Sequence, residues 1–154
     1  MYRAPVEDIA FTLKHVAGLQ AALDAGHLGD LSGDLVDAIL TEAGRFASEE
    51  IAPLADEGEK GTPVNDGVVT TPAGWSALYK NWIAGGWNSL TGTTDFGGQG
   101  LPTMLSVATS DMLNSSSIAF SLCSLLNIGA VEAHEPHATD ELKQTYLEKL
   151  ISGE

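Results

Sequence analysis

At 154 residues with an apolar fraction of 44%, the chain suits one domain with a real buried core. Its 7 Lys and Arg stand against 21 Asp and Glu, a formal net charge of −14. That balance argues against nucleic acid and membrane as partners, since nucleic acid and anionic lipid both require clustered cations. Cys123 is the sole cysteine, so no internal disulfide forms and a reducing compartment, the cytoplasm, is the expected home. With no base close to it in sequence, Cys123 reads as a small buried apolar residue and not as a nucleophile.

The first residues do not form a signal peptide, because Glu7 and Asp8 interrupt the apolar region such a segment needs. Residues 6–17 read as a short helix opened by Pro5 and stopped by Gly18, and residues 19–34 as turns broken by Gly26, Gly29 and Gly33. A long helix follows from about Leu35 to Gly58. Val36, Ile39, Leu40, Ala43, Phe46, Ala47, Ile51 and Leu54 recur there at spacings of three and four, and Pro53 should bend it. Residues 58–71 are polar, with a strand-like scrap at Val68–Thr70. Thr71-Pro72 reads as the start of the next helix, whose apolar face is Trp75, Leu78, Tyr79, Trp82 and Ile83 and whose end is Gly85-Gly86.

Pro102 opens a further helix, with Met104, Leu105, Val107, Ala108, Met112 and Leu113 expected on its buried side. An uncharged helix runs from about Ile118 and should end before Pro136. Its neighbourhood carries too many Ser and Asn for a lone membrane span. The last helix is capped by Thr139, carries Asp140 and Glu141 in its first turn, and stops at Gly153, with Leu142, Tyr146, Leu147 and Leu150 expected to face inward. The periodicity predicts an all-α bundle of five or six helices. Residues 1–33 form an N-terminal extension and residues 34–154 the helical domain.

Four clusters could carry chemistry. Gly92 and Gly97 have P-loop spacing, but Gly98 and Gln99 follow where Lys and Ser or Thr belong, and no Lys or Arg occurs from residue 81 to 142. A phosphate there would depend on backbone N–H groups at the Pro102 helix start; the plainer reading is a tight loop built on positive φ. His134 and His137, with Glu132, are the one candidate metal cluster, set against a solvated helix end. Trp75, Trp82, Trp87 and Tyr79 could box an aromatic ligand, although their spacing fits a core face better. The acidic pairs Glu49-Glu50 and Asp56-Glu57 read as solvated surface.

Two stretches carry a resemblance. Thr94-Asp95-Phe96-Gly97-Gly98-Gln99-Gly100-Leu101 is similar to an acid–aromatic–Gly-Gly-x-Gly loop. Residues 139–154, TDELKQTYLEKLISGE, match a second pattern in register at Lys143, Tyr146, Leu147, Leu150 and the Ser-Gly-Glu end, with Glu148 where proline is frequent. Together with the uncharged helix ending near Gly129, they resemble the N-terminal helical domain of the acyl-CoA dehydrogenase family. The first thirty or so residues resemble the extra segment of its longer bacterial members, the group that includes enzymes like 3-methylthiopropanoyl-CoA dehydrogenase.

The resemblance implies that the 154 residues are a fragment of a longer FAD-dependent enzyme that oxidises an acyl-CoA to the 2,3-enoyl-CoA. A carboxylate base and the main flavin site would lie further along the chain, before an electron-transfer acceptor and in a homo-oligomer. It implies no cofactor-binding, catalytic or metal residue in these 154 positions, and no activity for them alone. By family register it implies that the helix from Ile118 walls the acyl pocket through Ser121, Leu122, Leu125 and Gly129, and that an isolated wall would self-associate. The alternative is a helical interaction module without catalysis.

Overall fold

The computed structural model describes residues 2–154, and it is helical nearly throughout. α1 (Val6–Phe11) runs into a π-helical turn at Thr12–Val16, which Gly18 ends at φ 84°. α2 (Leu19–Asp24) is a helix where glycine-broken turns were expected. Its glycines fall after it, at Gly26 and Gly29, so the leucine-rich half of that stretch is free to wind. α3 (Gly33–Phe46) begins two residues earlier than predicted, because Ser32 accepts the Leu35 N–H through its hydroxyl.

The predicted break at Pro53 is present and spread over two turns. Ala47–Ile51 is π-helical and Ala52–Leu54 is 3₁₀ before α4 (Ala55–Glu59) resumes. Proline removes one i→i−4 donor, and the ladder slips to neighbouring registers around the gap. The polar stretch after it holds a two-stranded hairpin, β1 (Val64–Asn65) and β2 (Val68–Val69), turned by Asp66 and Gly67 at φ 49° and 77°. Both central residues at positive φ make the Asp-Gly pair the turn that suits the strands' twist.

α5 (Trp75–Ala84) does not start at Thr71-Pro72. Gly74, at φ 81°, is its N-cap, and Pro72 belongs to the preceding turn, accepting the Trp75 N–H. α6 (Thr103–Ser116) starts at Pro102 as read, but Val107 faces solvent. α7 (Ile118–His137) runs through Pro136, which costs it one hydrogen bond in the last turn and no more; Ala138 still donates to His134 O at 3.0 Å. α8 (Asp140–Ser152) has the Thr139 cap and the left-handed Gly153 stop that its sequence indicates. It packs along one side only, so Leu147 and Ile151 are buried and Leu150 half-buried, while Leu142 and Tyr146 are exposed, against expectation.

One large core joins α3, α5, α6 and the start of α7 around Phe46, Trp82, Trp87, Leu105, Met112 and Phe120. The N-terminal segment is part of it. Leu13 and Leu19 are buried there, Lys14 pairs with Asp37, and the Ala4 N–H donates to Ser48 Oγ at 3.0 Å. Gly44 leaves the notch that Val6 and Ala4 fill; a side chain at 44 would strike the Val6 methyl. A smaller core of Val131, Leu147 and Ile151 joins α7 to α8.

Candidate functional site

The glycine loop is closed upon itself. Every backbone N–H from Asp95 to Leu101 donates within it or to the segment just before it. Gly98 bonds Thr93 O, Gln99 bonds Ser89 O and Gly100 bonds Gly92 O, each at 2.9 Å, and Leu101 bonds Leu90 O at 2.8 Å. Gln99 fastens the loop further through Nε2 to Gly86 O at 2.7 Å, and Glu135 reaches over from α7 to accept the Thr93 N–H at 2.8 Å. Gly97 and Gly100 supply positive φ, and Gly98 lies so close to the Gly92 backbone that a Cβ would collide with it. These amides hold the turn and are not turned outward toward an anion.

The metal candidates do not converge either. His134 Nδ1 contacts Ala130 O of its own helix at 2.8 Å, Glu135 serves the glycine loop, and the described residues include no trio of His, Cys, Asp or Glu placed to hold an ion. Of the aromatic set, Trp82 and Trp87 are buried and stacked at 6.1 Å in the core, while Trp75 and Tyr79 stand at its edge. No hydrogen bond joins a serine or cysteine to a histidine among the described residues.

The helix α7 carries the feature that remains. Ser117 caps it, its hydroxyl accepting the Phe120 N–H at 3.3 Å. Its inner side is Phe120, Ser121, Ser124 and Val131, all buried. The two serines satisfy themselves on the preceding turn, Ser121 Oγ donating to Ile118 O at 2.8 Å and Ser124 Oγ to Ser121 O at 3.0 Å. Its outer side is Ile118, Leu122, Leu125 and Leu126, which are 52–74% exposed. Between α6 and α7 runs an open groove of about 420 Å³, with Ser106, Val107, Ser110, Asp111 and Asn114 on one wall and Leu125, Ile128, Gly129 and Glu132 on the other, so that a carboxylate stands on each side. A Cβ on Gly129 would meet nothing within 4 Å.

The four residues assigned to an acyl wall therefore fall in three places. Leu125 and Gly129 line the groove, Leu122 sits on the exposed stripe beside it, and Ser121 points into the bundle. Cys123, expected in the core, is exposed, because its turn of α7 faces the gap beside α5. Partial burial still pushes its thiol pKa up.

Three long-range contacts were not legible beforehand. Tyr79 donates its hydroxyl to Gly153 O at 3.0 Å, Asn127 approaches the same hydroxyl at 3.5 Å, and Asn88 Nδ2 donates to Leu150 O and Ile151 O at 2.9 and 3.1 Å. They tie the last turn of α8 to α5, α7 and the segment before the glycine loop. Burial pushes the Tyr79 pKa up, so this clasp keeps its donor proton.

Comparison with known proteins bears on the whole chain. The family model described as acyl-CoA dehydrogenase, N-terminal domain, matches residues 35–154. The chain is 36% identical over 153 residues to 3-methylmercaptopropionyl-CoA dehydrogenase of Ruegeria pomeroyi, covering 99% of the chain and 26% of that relative. It is 29% identical over 104 residues to the broad-specificity linear acyl-CoA dehydrogenase FadE5 of Mycobacterium tuberculosis, covering 66% of the chain and 17% of that protein. The chain thus spans about a quarter or less of the length of these curated relatives. No helix among the described residues is long and apolar enough to cross a membrane.

Proposed function

The chain belongs to the acyl-CoA dehydrogenase family, as its N-terminal helical domain, and from that premise we propose that it is the wall of an acyl pocket in a longer FAD-dependent enzyme. That enzyme would oxidise an acyl-CoA thioester to the 2,3-enoyl-CoA. Flavin, when bound, supplies the acceptor for a hydride, and the protein supplies placement and electrostatics. The observation that carries this reading is the outer face of α7, a charge-free stripe of Ile118, Leu122, Leu125 and Leu126 left facing solvent beside an open groove. Apolar patches of this kind mark surfaces meant to be covered.

The glycine loop does not fit the flavin's pyrophosphate. The glycine-loop amides are consumed internally, and no Lys or Arg lies between residues 81 and 142. We therefore assign the flavin, the base that takes the α-proton and the electron-transfer contact to chain outside these 154 residues, and no turnover to these residues alone. On this reading Leu125 and Gly129 are the substrate-facing positions, with Leu122 at the margin. Ser121 acts through packing, its small side chain letting α7 lie close to the bundle. Assembly as a homo-oligomer in the cytoplasm belongs to the same proposal.

Two measurements test it together. The reading frame is expected to run on past Glu154 into the chain that holds the flavin; a stop codon directly after Glu154 contradicts the proposal. The purified 154-residue chain is expected to show no flavin absorbance and no acyl-CoA oxidation with an artificial electron acceptor. Stoichiometric flavin in that chain overturns the placement of the cofactor.

A further inference from the structure

We propose that the cleft between α5 and α7 binds a flat aromatic group carrying a negative charge, with the ring against Trp75 and Tyr79, the buried Phe120 at the floor, and the anion at Lys80. The cleft has a volume of about 320 Å³, within the range of small-molecule sites. It is separate from the α6–α7 groove and does not rest on the acyl-wall reading.

Its walls are stripes of two helices. Trp75 and Tyr79 are four residues apart on α5, as are Ser76 and Lys80, and Phe120 and Cys123 are three apart on α7. Each aromatic wall is held by a contact outside the cleft. The Trp75 indole lies across Gly58, where a Cβ would come within 2.5 Å of the ring, and its Nε1 approaches Leu54 O at 3.5 Å. Phe120 meets Trp75 edge-on at 5.6 Å and 86°, and meets Trp82 edge-on at 6.4 Å and 85°. Tyr79 is tethered by its hydroxyl to Gly153 O. Rings fixed before binding lose little entropy on binding, and fixed aromatic faces and edges select another flat ring.

Lys80 supplies the charge preference. Among the described residues, Lys14, Arg45 and Lys60 are paired with carboxylates, while Lys80, like Arg3, Lys143 and Lys149, makes no ion pair; of these four only Lys80 lines the cleft. It is the one charged side chain in the lining. An ammonium beside an apolar wall repels a cationic ligand, does nothing for a neutral one and pairs with an anion. The chain's charge of −14 opposes anions at long range, but charges more than about 8 Å away are largely screened at physiological ionic strength.

Cys123 makes the cleft readable. It is the chain's sole cysteine and it lines this cavity, so a bound ring must slow its alkylation. The purified chain is alkylated with iodoacetamide at pH 8.5 and 0.15 M salt, with and without 2-naphthoate, and scored by mass. Expected is a saturable slowing of about fivefold or more. Lys80→Glu should raise the half-protecting concentration about tenfold, and Lys80→Gln less, as loss of one charge-assisted contact requires. The neutral 2-naphthalenemethanol should need about tenfold more than naphthoate on the native chain. The proposal is overturned if millimolar naphthoate gives no protection, if Lys80→Glu is protected at the native concentration, or if the neutral alcohol protects as well as the acid. Lys80 is exposed and without an ion pair, so both variants should fold, which circular dichroism checks.

Discussion

The two faces of α7 invert the usual order. The side packed into the bundle presents Ser121 and Ser124 beside Phe120, while the side facing solvent presents Ile118, Leu122, Leu125 and Leu126. A self-sufficient helix would turn its leucines inward and its serines outward. Here the serines satisfy their hydroxyls on their own helix and, being small, allow close approach, so the inner face needs little apolar bulk. On the proposed reading, the outer face meets a surface that these residues do not themselves provide.

The largest break in that comparison is expected from the inner face. Phe120→Ala removes the ring that touches both Trp75 and Trp82. It should cost about 3–5 kcal/mol of folding stability, as buried aromatic truncations do, read as a lowered urea midpoint. The glycine loop comes next. Gly98→Ala drives a methyl into the Gly92 backbone and should cost about 1–3 kcal/mol, whereas Asp95→Ser, at an exposed position of the same loop, should change little.

The outer face should respond in the opposite way. Leu122→Ser and Leu126→Ser remove exposed side chains and should move stability by no more than about 0.5 kcal/mol. Sedimentation should nevertheless show the native chain self-associating and the double variant shifted toward monomer. Equal sedimentation of the two would erase the distinction between the faces.

The smallest expected effect is one of pH. Burial raises the pKa values of Cys123 and Tyr79 in the folded chain. Their protonated forms are thus favoured by folding, and that contribution is fully present below the unfolded cysteine value of about 8.5. It should fade as pH rises through the higher folded values. Urea midpoints should therefore fall gently between pH 8.5 and 10.5, and Cys123→Ser should flatten the first part of that decline.

Much of the fold was legible because local rules and tertiary packing agree. Thr139 and Gly153 bound α8 as caps, Pro102 opens α6, and the three- and four-residue spacing in α3 marks its buried stripe. Legibility failed where a neighbour decided the outcome. Val107, Leu142 and Tyr146 carry the periodicity of a core face but sit where no element covers them. Pro136 is tolerated because it falls in a last turn, and Thr71-Pro72 lost its cap role to Gly74, whose left-handed backbone no composition reveals. Of the four positions that family register named, Leu125 and Gly129 line the groove, Leu122 is exposed beside it and Ser121 packs inward. The Tyr79, Asn88 and Glu135 tethers join residues 42 to 74 positions apart, and nothing local announces such pairs.

Gly129 offers the most direct measurement of whether this chain walls an acyl pocket. In the protein carried to the end of its reading frame, kcat/KM is compared for saturated acyl-CoAs of increasing length, native against Gly129→Leu. The open space at that position predicts a loss that grows with chain length and reaches about tenfold, or 1.4 kcal/mol of transition-state stabilisation, for the longest substrates. An effect that is absent, or equal at every length, would contradict the assignment of α7 as the wall.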